Sequence, residues 1–249
     1  MKILTLVLSM LMTASLTACD TGSPPPVVSS EAAGSAAVRY AVGDIILADG
    51  TVTTSAELTA VDSENPPVAV MAGTRDDGAP FAVGVHRSST PLQWAPAGTP
   101  GNTIRFAETV CTDSSTGDPD GSDNWAVICA RDAQGVAEAE RNYPAFHFIN
   151  TYADAFGLTE SCANGWYLPS IAELCTVYEN REAVNTSLEK IHELDSGAAM
   201  DGLGTNWYWS SSQSGSSDDY AWFVHCFNGY AADCPKDFDN LHVLAVRAF

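Results

Sequence analysis

Seven cysteines, one dense group of carboxylates and one run of serines are the residues of this chain that could do chemistry. Cys19 closes the string Leu16-Thr17-Ala18-Cys19 behind an apolar stretch, a place where a thiol can take acyl chains. The other six stand at 111, 129, 162, 175, 226 and 234. In an exported chain an even set of cysteines predicts disulfides, and local pairing would join Cys111 to Cys129 and Cys162 to Cys175. A bond between Cys226 and Cys234 across residues 227–233 is one of two readings of that pair. Asp118, Asp120 and Asp123 could offer oxygens to Ca²⁺, a hard cation. Glycine at the fourth place and the lack of a closing Glu depart from the EF-hand pattern, and a solvated acidic turn is the common form of such a loop. Calcium there is the one cofactor the sequence suggests, and no other metal site is expected. Ser210-Ser211-Ser212 has no base placed near it and reads as framework hydrogen bonding. His147, between Phe146 and Phe148, reads as a residue at the edge of the core. His192-Glu193 lacks the second His that a zinc-protease helix carries, and no nucleophile elbow or phosphate-cradling loop occurs. The sequence therefore predicts no catalytic residue and no enzyme.

What it offers is a surface. From Trp207 onward, strand-like words alternate with Tyr220, Phe223, His225, Cys226, Tyr230, Asp233, Cys234, Phe238, Asp239 and His242, which follow neither one polarity nor one period. Aromatic side chains give large contact area at low entropy cost, and recognition faces are rich in them.

The elements that must position these residues can be read from the start of the chain. Lys2 and the apolar run from Ile3 to Leu16 form an export signal over residues 1–18, too short to span a bilayer. Residues 19–38 hold Pro24-Pro25-Pro26 and small residues without periodicity, which predicts a lipidated tether. One domain over residues 39–249 follows. The formal charge of -20 argues against nucleic acid and against an anionic lipid face;. Three strands near residues 42–50, 66–73 and 81–85 form a meander with Asp-Gly turns. Residues 93–123 read as loop, pinned by Trp94 and Trp125. Pro144 starts a helix whose face is Phe146, Ile149, Ala153 and Phe156 and whose stop is Gly157. Ser170-Ile171-Ala172-Glu173 is a capping box opening a second helix that turns Ile171, Leu174, Cys175 and Tyr178 inward. A shorter helix is expected over residues 186–194, and a closing strand over 243–249, apt to pair near Asp44 to Leu47. Helices segregated beside an antiparallel sheet make the class α+β.

Several of these words resemble a known family. Gly165-Trp166-Tyr167-Leu168-Pro169-Ser170, Trp207-Tyr208-Trp209-Ser210-Ser211-Ser212-Gln213, Ala221-Trp222, Phe227-Asn228-Gly229-Tyr230 and Val246-Arg247-Ala248-Phe249 are similar to the C-type lectin fold of the formylglycine-generating-enzyme subtype. Within it they most resemble the treponemal variable protein family of retroelement-diversified surface lipoproteins. Leu16-Thr17-Ala18-Cys19 likewise resembles a lipobox, which implies lipidation, palmitate included, at Cys19. The resemblance implies an antiparallel sheet with two main helices, and a variable segment over about 206–249 in which Asn codons are altered at their adenines. Such codons reach Asp but not Glu, and all five acidic residues after Asn206 are Asp. Cys226 and Cys234 would then be displayed free thiols, the alternative to a local disulfide.

The framework is expected to comprise Trp207, Trp209, Trp222, Phe227, Gly229 and Arg247. The ligand contacts expected are Tyr208, Ser214, Ser216, Ser217, Asp219, Tyr220, Phe223, His225, Tyr230, Ala232, Asp233, Asp237, Phe238 and Asp239. The expected partner is a protein ligand, with the membrane touched by the lipid anchor only, and the expected state is a monomer on the outer surface of a bacterial cell. Two other functions fit the family: a copper-dependent oxidase of the formylglycine-generating type using Cys226 and Cys234, and a static envelope adhesin. The motifs of calcium-dependent sugar-binding lectins are absent.

Overall fold

The computed structural model describes residues 39–249 apart from 107–108 and 113–116. The export signal, the tether and Cys19 lie outside the described residues.

Two sheets carry the domain. The first is ordered β2-β1-β3-β4-β10-β6, with β1 Ile45–Leu47, β2 Val52–Thr53, β3 Pro67–Thr74, β4 Pro80–Arg87, β6 Trp166–Tyr167 and β10 Leu244–Ala248. The second is ordered β5-β7-β8-β9, with β5 Val110–Cys111, β7 Trp207–Ser214, β8 Tyr220–His225 and β9 Tyr230–Pro235. The class is α+β with antiparallel pairing throughout except β5 with β7, which is parallel. The expected meander is β1 to β4, and Gly78 turns β3 into β4 at φ 86°. The closing strand does not pair near Asp44. β3 and β4, apolar on both faces, fill the centre of the sheet, so β10 lies between β4 and β6.

Helices cover the sheets from two directions. The stretch read as loop holds α1 Pro100–Thr103, and α2 Asn124–Arg131, α3 Ala133–Ala137 and α4 Ala139–Asn142 follow it. Trp94 pins that stretch as expected, fully buried with its indole donating to the Ser210 carbonyl, whereas Trp125 belongs to α2. The Pro144 helix is divided at Thr151 into α5 Pro144–Asn150 and α6 Tyr152–Ala155, so Tyr152 rather than Ala153 is its buried residue. The capping box is present at the start of α7 Ile171–Glu179. The last helix, α8 Arg181–Leu194, starts five residues earlier than its apolar pattern suggested.

Sheet β5-β7-β8-β9 divides the core by the period-two alternation of its strands. Tyr208, Val224 and Cys226 join α7, α8 and the first sheet in one cluster; Trp209, Ala221 and Phe223 join Trp94, Phe106, Tyr143 and Phe146 in another. Cys129 and Cys162 are free, so neither local disulfide is formed.

Candidate binding face

The second sheet exposes one end of itself. β8 and β9 are joined by a tight turn in which the Asn228 and Gly229 amides both donate to the His225 carbonyl, at 3.3 and 2.9 Å. Gly229 has φ 72°, and a Cβ there would meet the Tyr178 ring at 2.2 Å, so this position requires glycine twice over;. The turn thus leans on α7, which sits on its own capping box. Glu173, buried, closes that box by accepting the Ser170 amide, and also holds the Gly121 amide and the Tyr167 hydroxyl. Burial pushes the Glu173 carboxyl above the usual range while those three donors pull it back.

The turn lifts Phe227 into solvent at 68% exposure, with Tyr230 beside it at 58%. Both continue a row of rings running in from the core. Trp207 stacks on Phe223 at 5.1 Å and 2°, and tilts against His225 at 5.2 Å. His225 meets Phe227 at 6.0 Å, and Phe223 meets Tyr230 edge-on at 6.2 Å. Register explains the row: Trp207 lies opposite His225 and His225 opposite Tyr230, so all three stand on one side of the pleat;. Ala232 and Cys234 continue that side along β9, the edge strand.

The expected contact residues separate into three groups. Tyr230, Phe238 and Asp239 are exposed with Ser216, and Phe238 at 38% stands in the loop after β9. Ser217, Asp219, Tyr220, His225, Ala232, Asp233 and Asp237 are half-buried. Tyr208, Ser214 and Phe223 are buried and cannot be presented to a partner. Tyr208 turns to the α7 side, where its hydroxyl donates to the Leu203 carbonyl at 2.9 Å. Ser214 and Ser216 both donate to the Asp233 carboxylate, which ties β9 to the loop after β7. Phe223 is the floor on which Trp207 lies.

The expected framework needs one exchange in return. Trp209 is buried with its indole on the Leu92 carbonyl at 2.7 Å; the Trp222 indole holds the Cys111 carbonyl; Arg247 holds the Asn164 and Ser161 carbonyls. Phe227, placed in the framework by its motif, is the most exposed large apolar side chain among the described residues. The signal was present in Phe227-Asn228-Gly229, since the residue leading an Asn-Gly turn has no neighbouring strand to pack on.

Lys236 anchors the far end of the face. Its ammonium is fully buried and donates to the carbonyls of Gly101, Ile104 and Asp218 at 3.0, 3.0 and 2.5 Å, with Asn102 at 3.5 Å, above the Trp94 ring. Burial pushes its pKa from 10.5 down to about 7, with Asp218 and Asp219 pulling the other way. One side chain therefore fastens α1, the loop before β8 and the end of β9 together.

The serines of β7 are structural, as their lack of a base implied. Ser210 donates to the Trp222 carbonyl, Ser211 to that of Pro169 and Ser212 to Asp118. The carboxylates considered for calcium do not converge. Asp118 is spent on Asn124 and Ser212, Asp120 pairs with Arg75 at 2.8 Å, and Asp123 is exposed. No group of three metal-ligating side chains forms among the described residues. Cys226 and Cys234 point to opposite sides of the sheet, one in each core cluster, so they neither bond to each other nor form a two-thiol copper site. Both are free, but Cys226 is buried rather than displayed, and burial pushes each thiol up to about 12.

The domain is α+β, and its row of rings ends in solvent at Phe227 and Tyr230. The chain matches the Lcl C-terminal domain over residues 84–247 and belongs to that family. Among solved structures it is similar to a fimbrial protein from Bacteroides ovatus, with a TM-score of 0.60 and 15% identity over 84% of this chain and 49% of that one. At that identity the likeness is one of fold, and the chain spans about half the length of that protein. A comparison with curated proteins finds no match. No helix among the described residues is long and apolar enough to cross a membrane.

Proposed function

We propose that this protein is displayed on a bacterial cell surface, held by lipid on Cys19, and that it binds a protein ligand through the aromatic end of sheet β5-β7-β8-β9. The observation that carries this reading is the row Trp207, His225, Phe227 and Tyr230, whose outer members stand in water although a globular chain could have buried them. Large exposed rings, each backed by a more buried ring on a braced turn, are a common composition of a binding hot spot;. Bracing matters because a side chain already held in place loses less freedom on binding. The half-exposed Asp237 and the exposed Phe238 and Asp239 extend the face beyond β9, and the segment's single Lys, Lys236, is buried. The same reading takes the fold as C-type lectin-like and residues 206–249 as a segment open to diversification, supported by the Asp-only acids and by the exposure of Phe227 at the apex of its turn. Surface display is in keeping with the similar structure being named a fimbrial protein.

The test compares the full chain with Phe227→Ser/Tyr230→Ser on arrays of extracellular proteins. At least one protein should bind the parent and lose the double variant, with the melting temperature unchanged. Equal binding by both forms, or no binding by the parent, would remove the face from the proposal. Radiolabelled palmitate should enter the parent and not Cys19→Ala. Sequences of sibling copies should differ at Phe227, Tyr230, Phe238 and Asp239 and agree at Gly229 and Lys236; an invariant segment would point to the static adhesin.

A further inference from the structure

Away from the C-terminal sheet, α2, α5 and β6 line a cleft of about 410 Å³, and a smaller one of about 170 Å³ shares Ile149, Asn150 and Trp166 with it. Trp125 and Trp166 wall it, each half-buried. Trp125 is fixed by stacking on Phe146 at 5.2 Å, and Trp166 by its indole bond to the Cys162 carbonyl and by Tyr152 at 4.7 Å. Around the rim stand the exposed side chains of Ser122, Asn150 and Asn164, which face solvent and are open to a ligand. The residues lining both compartments include no Asp, Glu, Lys or Arg.

We propose that this cleft is a binding site for a neutral saccharide, with a hexopyranose ring laid against the indoles and its hydroxyls on the amides. The size is that of a small-ligand pocket. Two fixed indoles offer flat apolar surface, which matches the C–H face of a pyranose. The amides and hydroxyl of the rim supply both donors and acceptors, as a ring of sugar hydroxyls requires. Absence of charge in the lining favours a neutral ligand, because a charge on the indole floor would lose hydration without meeting a counter-charge. A larger hollow of about 520 Å³ lies among residues 136–141 and His147, but Glu138, Glu140 and Arg141 line it and it offers no wall of stacked rings. The site is independent of the proposed protein-binding face and remains if that face fails.

The experiment titrates the full chain in detergent with the methyl glycosides of glucose, galactose, mannose and N-acetylglucosamine, following tryptophan fluorescence and calorimetry. At least one should saturate, with Kd on the order of 1–10 mM for a ligand of this size. Trp125→Ala should weaken it about tenfold or more, the scale of losing one stacked ring. Asn150→Ala should weaken it a few-fold, and Phe227→Ser/Tyr230→Ser should leave it unchanged. Cys129 lines the same cleft, so the bound sugar should slow its alkylation by iodoacetamide. That readout serves if the tryptophan variant fails to fold. No saturation with any glycoside, or saturation by indole with none by the sugars, would overturn the proposal.

Discussion

β7 and the turn between β8 and β9 are built from nearly the same alphabet, yet one is interior and the other is surface. Trp207 to Ser214 and Phe227 to Tyr230 both mix rings with small polar residues. β7 lies between two neighbours in its sheet with a core cluster on either side, and all but Trp207 is buried. The turn has α7 on one side and water on the other. An aromatic residue is thus display or framework according to how many layers flank it, and its type gives no warning.

The comparison breaks most visibly at its buried side. Trp209→Ala should destabilise by roughly 3–5 kcal/mol, since it removes a fully buried ring and leaves the Leu92 carbonyl without its donor;. Urea unfolding checks it, and a cost under about 1 kcal/mol would show that β7 is not the interior strand described. Gly229→Ala comes next at roughly 2–4 kcal/mol, from the left-handed backbone together with a Cβ driven into the Tyr178 ring;. If it melts like the parent, the turn does not rest on α7 and the face is not braced.

A pH series sharpens the account of the far end of the face. Lys236 has a folded pKa near 7, below its value of 10.5 in the open chain. Between those values the unfolded chain binds more protons, so stability should rise with pH from about 7 toward 10 and level off below about 7, where both states hold the proton. Lys236→Met should flatten that slope in urea midpoints taken from neutral to alkaline pH. Smallest of all, Phe227→Ala should move stability by no more than about 0.5 kcal/mol, as expected for a side chain with few neighbours. A larger loss would return Phe227 to the framework.

Much of the frame was legible because it rests on local rules. The Asp-Gly turns, Pro144 at a helix start and the Ser170 capping box depend on residues a few positions apart, and each stands where its pattern puts it. Exposure in the C-terminal segment was legible as a region and not residue by residue. Phe223 and Tyr230 differ by little in type, but one faces inward at mid-strand and the other leaves the turn. The short helices between residues 100 and 142 were missed because each is too short to show an apolar period, and α2, α3 and α4 are held by packing on one another and on α5.

The sequence by itself determined where turns and caps fall, that the class is α+β, and that the last forty residues mix strand-forming words with side chains that follow no single polarity or period. Tertiary structure alone decided which rings face water, that Lys236 is an internal fastener, that Cys226 and Cys234 lie on opposite sides of one sheet, and that Trp125 and Trp166 meet across a cleft. The physical reason is range. Turn and cap energies are fixed by neighbours in the chain, whereas burial depends on which layers come to lie above and below a strand.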